Sequence, residues 1–227
     1  MRLASWLALL LLLALLVPSS AVASVELRSA ASFDIRIAGP LVVSLKEELR
    51  ADMRPGEQHR WLQGVVVKIR PIKWLRIEPQ YRLSRHLSAG GAEAELSHRV
   101  SLGLRGRIKL GPFLRLILRE RYQVRFRSPQ DPPRQHLVSK IAVKLRHRRL
   151  PLEPSLWCEF FLRLPEQDDP VLAEKIRVGV GISMPAGLCD VGIELQLEKS
   201  IKNADEVAIP ILAMNFDFEL DVRRKKD

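Results

Sequence analysis

From Leu114 to Arg127 the chain alternates with period two. One parity carries Leu114, Leu116, Leu118, Glu120, Tyr122, Val124 and Phe126; the other carries Arg115, Ile117, Arg119, Arg121, Gln123, Arg125 and Arg127. A helix does not segregate residues spaced by two, whereas a β-strand sends successive side chains to opposite faces. This segment therefore has one mainly apolar face and one dominated by cations. The alternation recurs at 97–110, where Arg99, Arg105, Arg107 and Lys109 interleave with Val100, Leu102, Leu104, Ile108 and Leu110, and again at 174–184 and 187–199.

The pattern predicts about ten strands, at 41–52, 60–70, 73–84, 97–110, 113–127, 136–148, 155–164, 174–184, 187–199 and 207–222. Most exceed the about five or six residues usual in globular proteins and reach the about 9 to 11 that cross a bilayer at a tilt. Long polar connections such as RHLSAGGAEAE and SPQDPPRQ alternate with short ones such as GP and PA. A soluble sandwich would also alternate, but strand length and loop rhythm favour a membrane barrel. The expected fold is all-β: an up-and-down antiparallel transmembrane β-barrel of about ten strands, alternatively twelve, with short periplasmic turns and longer extracellular loops. Both termini are expected on the short-turn side, and 32–38 is either an extra strand or an extension of the first. Closure leaves no sheet edge unpaired in hydrocarbon, so the apolar parity should face lipid and the polar parity the lumen. Trp61 and Phe126 near the long loops, and Phe113, Phe216 and Phe218 near the short turns, suit interfacial girdles.

The N-terminus bears on the compartment. Met1-Arg2, the apolar run Leu3 to Val17 and the small-x-small site Ala21-Val22-Ala23 read as a signal peptide over 1–23. The run stops at Pro18, short of the about 20 residues that an anchoring helix needs. The remainder divides into an N-terminal segment at 24–40, a barrel at 41–222 and a basic tail at 223–227. The expected location is the outer membrane of a Gram-negative bacterium, with outer-membrane lipid and the barrel assembly machinery as partners. A net charge of +11 would suggest nucleic acid in a soluble protein. Export argues against that partner, as do bases threaded singly between apolar residues. Cys158 and Cys189 read as unpaired packing residues. The five histidines show no metal-ligand spacing, so neither metal nor cofactor is expected.

Three short motifs carry a family resemblance. RERYQVRF resembles R-x-R-Y-E-x-R-F of the outer-membrane barrel family catalogued as domain of unknown function 2490, with Arg119, Arg121, Tyr122, Arg125 and Phe126 matching and Gln123 in place of the acid. WCEFF, through Trp157, Glu159 and Phe161, is similar to aromatic-x-E-x-F. EKIRVGVGI resembles N-R-x-x-x-G-x-G, with Lys175 replacing arginine and Gly179 and Gly181 kept. The resemblance spans about residues 31 to 222 and implies a barrel in the outer membrane; it implies no activity.

On lumen parity a basic wall is expected from Arg99, Arg105, Arg107, Lys109, Arg115, Arg119, Arg121, Arg125, Arg127, Lys140, Lys144, Arg146 and Arg148, and an acidic one from Asp190, Glu194, Glu198, Asp217, Glu219 and Asp221. In a ten-strand ring these walls would confront each other, and cross-lumen pairs between them would fill the barrel. The first functional reading is thus a structural or surface-interaction barrel plugged by Arg/Lys and Asp/Glu side chains. The alternative is a narrow anion-preferring pore or anion-binding barrel. A third, a hydrolase at the rim, would rest on Asp131, His136, Asp168 and Asp169; no catalytic residue is otherwise assigned.

Overall fold

Each alternating stretch is a strand in the computed structural model, which describes residues 25–53, 59–87, 95–127, 132–146, 152–165, 172–186, 189–202 and 208–221. The expected signal peptide and basic tail lie outside these residues. The strands are β1 (Glu26–Ala38), β2 (Leu41–Asp52), β3 (His59–Ile72), β4 (Leu75–Leu87), β5 (Glu95–Leu110), β6 (Leu114–Phe126), β7 (Arg134–Leu145), β8 (Glu153–Arg163), β9 (Leu172–Ala186), β10 (Cys189–Ser200) and β11 (Ile209–Asp221). Each pairs with its sequence neighbours, and β1 closes on β11 to make an up-and-down barrel.

The count is eleven, and the difference lies at the N-terminus. The segment expected to lead into the barrel is itself β1, antiparallel to β2 from Glu26↔Asp52 to Ala38↔Leu41. An odd number of strands forces one parallel contact: β1 runs alongside β11, from Glu26↔Ile211 to Arg36↔Asp221. Consequently the start of β1 lies at the long-loop end, not at the short-turn end expected for both termini. The β1–β2 and β5–β6 turns are tight because Gly39 (φ 44°) and Gly111 (φ 74°) adopt the left-handed conformation that side chains disfavour.

Polarity is inverted relative to a water-soluble core. Outward-facing Val100 (52% exposed), Leu104 (48%) and Leu156 (59%) belong to an apolar belt around the ring, whereas inward-facing Ser97 (2%) and Glu159 (7%) are buried. Two carboxylates interrupt the belt near mid-strand, each with a donor on the adjacent strand. Glu120 accepts from the Ser139 hydroxyl at 2.6 Å, and Glu47 from Trp61 Nε1 at 2.8 Å. Cys158 and Cys189 also take the outward parity and form no disulfide.

Candidate functional site

The inner face of the barrel is the candidate site, because the strand pleat directs the charged parity there. Register sets arginines side by side. One row runs Arg76↔Arg105↔Arg119↔Lys140↔Glu159↔Arg177↔Glu198 across β4 to β10. A second places Arg82, Arg99, Arg125 and Arg134 abreast. Like charges directly opposite one another are destabilising, so each row needs relief from elsewhere.

Relief comes from carboxylates close by in the ring. Arg119 Nη2 reaches Glu78 on β4 at 2.9 Å, and Arg121 Nη2 lies 3.8 Å from Glu159 on β8. Glu159 also accepts from Arg177 Nη1 at 3.2 Å; Arg177 in turn pairs with Glu198, which takes Lys175 Nζ at 3.1 Å. Glu153 holds Lys144 at 2.6 Å and Arg146 at 3.0 Å, and Arg127 lies 3.9 Å from Glu95. On the other side Lys68 grips Asp34 at 2.6 Å, Arg36 meets Glu219 at 2.5 Å, and Arg82 lies 3.7 Å from Glu48. Arg125 donates to Ser97 Oγ at 3.2 Å and to His86 Nε2 at 3.3 Å, and Arg99 to Gln123 at 3.5 Å.

The expected pairing of opposite walls is therefore not what holds the lumen. Glu198 and Glu219 pair with the flanking strands β9 and β1. Glu194 accepts from Gln196 Nε2 and Asp217 from the Ser32 hydroxyl. Among the described residues no ion pair joins Asp190, Glu194 or Asp217 to the basic wall, and Arg105, Arg107 and Arg115 make none at all. The physical reason is reach: neighbouring strands lie about 4.8 Å apart, so carboxylates one or two strands away meet the arginines first. Arg148 and Asp221 fall where no side chain is described. Of the rim candidates only His136 is described, its Nε2 3.1 Å from Glu174 Oε2; Asp131, Asp168 and Asp169 lie outside the described residues.

The motif residues divide by parity: Tyr122 and Phe126 face outward, and the others turn into the barrel. Gln123, Trp157, Glu159 and Phe161 are all buried there. Lys140 Nζ sits 3.6 Å over the Trp157 ring, and Lys175 Nζ 4.6 Å over Phe161, placements that the ring quadrupole favours. The glycine pair makes space: a Cβ on Gly179 would stand 2.5 Å from Trp157 Cζ2, and one on Gly181 2.8 Å from Glu194 Cγ. Sequence reasoning missed Glu48, Glu78 and Glu153 as partners of the bases. The signal for Glu78 was present in RIEPQYR, where Arg76, Glu78, Gln80 and Arg82 share one parity.

Side chains leave part of the lumen open. A cavity of about 570 Å³ lies toward the short turns, bordered by Asp34, Lys68 and Glu219, and one of about 500 Å³ reaches Arg28, Arg50 and Gln196 nearer the long loops. The buried Nε–H groups of Arg105, Arg119 and Arg121, which line these cavities, lack protein acceptors, as do those of Arg99, Arg125 and Arg127 elsewhere on the inner face. The lumen can thus order water or accept groups bearing charge. Neither a protein-family model nor a curated protein matches the chain.

Proposed function

We propose that the protein is an exported β-barrel of the outer membrane of a Gram-negative bacterium, as its family resemblance implies, with a structural or surface-interaction role. The observation that carries this reading is the inverted polarity of a closed sheet: apolar side chains ring the outside and ion pairs line the inside. In water such an apolar belt would be an aggregation surface. In hydrocarbon it is matched by lipid tails, and closure pairs the backbone around the ring. Lumen pairs between nearby strands would then act as struts that stiffen the wall. Cell fractionation with gel migration before and after heating tests this. Membrane recovery and a heat-dependent mobility shift are expected; recovery in the soluble periplasmic fraction without a shift would refute it.

A second reading, a narrow anion-preferring pore or anion-binding barrel, draws support from the Nε–H groups of Arg105, Arg119 and Arg121, left without acceptors beside the cavities. Barrels of about eight strands have interiors just filled by side chains, whereas porins need about 16 to 18 for an aqueous channel, and eleven lies nearer the first. Reconstitution into planar bilayers separates the two: steady anion-selective current supports the pore, and silence supports the structural barrel.

A further inference from the structure

The two inner cavities meet at a waist, where Ser32, Lys46, Arg105, Arg119, Asp190 and Asp217 line both. In the eleven-strand ring β5 and β10 are five strands apart one way and six the other, as are β6 and β11. Arg105 and Arg119 therefore stand on the wall opposite Asp190 and Asp217. Opposite charges confront each other across the lumen, yet no ion pair joins them.

Among the described residues the Arg105 side chain makes no hydrogen bond or ion pair, and its Nε–H is buried without an acceptor. The carboxylate of Asp190 is likewise unpartnered, and Asp217 takes only the Ser32 hydroxyl. Arg119 already shares Glu78. Between the walls lies the cavity of about 570 Å³, within the range of about 300 to 1,000 Å³ typical of small-molecule pockets.

We propose that the waist binds a small dipolar ion, its anionic group against Arg105 and its cationic group against Asp190 and Asp217. Lys46 also lines the waist but pairs with neither carboxylate, so a simple anion would leave Asp190 and Asp217 without a cation, and a simple cation would leave Arg105 without an acceptor. A molecule carrying both charges complements both walls at once, and a guanidinium is well suited to grip its carboxylate. Low-dielectric walls focus such a field across a narrow lumen. The inference goes beyond the membrane reading, since it needs the folded barrel and not its location.

The test uses the full mature chain folded in detergent, titrated calorimetrically with 4-aminobutyrate and 6-aminohexanoate, and with butyrate and butylammonium as singly charged controls. At least one amino acid should bind about tenfold or more tightly than either control, a gap of about 1.4 kcal/mol. Arg105→Gln and Asp190→Asn should each erase that preference. Among the described residues neither side chain takes part in an ion pair, so both variants should keep the heat-dependent gel shift that reports folding; should one fail to fold, the wild-type comparison decides alone. Butyrate binding as tightly as the amino acids would mark a plain anion site and overturn the proposal. So would no binding, or an undiminished preference in both folded variants.

Discussion

Glycine at 179 has a reason that only side-chain geometry supplies. The Trp157 ring occupies the volume that a Cβ would take, at 2.5 Å, and Lys140 sits over the ring at 3.6 Å, so the ring has little room to yield. Gly179→Ala should therefore destabilise the barrel by about 1 to 3 kcal/mol, the usual cost of overpacking, seen as a lower temperature for the gel-mobility transition. Gly192→Ala is the matched control, because its Cβ would find Asn215 Cβ at an ordinary 3.6 Å. Equal transitions for the two variants would show that the Trp157 contact does not constrain Gly179. From sequence the glycine pair was visible as a motif, but which side chain filled the vacated space was not.

At the level of the strand, β6 answers for the arginines. Arg119 and Arg121 draw carboxylates from two strands away on either side, Glu78 on β4 and Glu159 on β8, so β6 is tied beyond its immediate neighbours. Arg119→Glu with Arg121→Glu would set each new carboxylate toward an existing one. Breaking a buried pair typically costs about 3 to 5 kcal/mol, and here two are reversed; assembly of the barrel should fail, with no heat-resistant band on a gel. A double variant that inserts and resists heating like the parent would show that these pairs do not support the wall. The closing strand makes a second demand. Phe218 on β11 stacks on Phe33 of β1 at 4.9 Å across the parallel seam, and Leu220 lies two residues further on, on the same outward parity. Phe218→Ser with Leu220→Ser should reduce membrane yield severely; wild-type yield would show that closure does not depend on this contact.

For the molecule as a whole, the outer belt separates a barrel in lipid from a barrel in water. Leu104 faces outward near the middle of β5 and is 48% exposed. An arginine on the lipid face at mid-depth costs about 2 to 4 kcal/mol, whereas an exposed substitution in water usually stays within about 0.5 kcal/mol. Leu104→Arg should thus lower stability markedly in bilayers, measured by denaturant unfolding from vesicles. An unchanged midpoint would mean that this face does not meet hydrocarbon.

The sequence by itself determined alternation, and alternation carried most of the fold. Because side-chain direction in a strand depends only on parity, Arg99 to Lys109 and Arg115 to Arg127 could be assigned to one face without coordinates, and strand limits such as 41–52 followed from where the period broke. The strand β1 was ambiguous for the same reason: Ser29, Ala30, Ala31 and Ser32 are small on both parities, so the period carries little contrast there. Strand number, the parallel seam and the long-loop position of the β1 start were decided by tertiary closure, which depends on how the first and last strands meet. Partner choice also belonged to the tertiary structure. Parity puts Arg119, Glu78 and Asp217 in one lumen, but only register and distance give Arg119 to Glu78 and leave Asp217 across the gap.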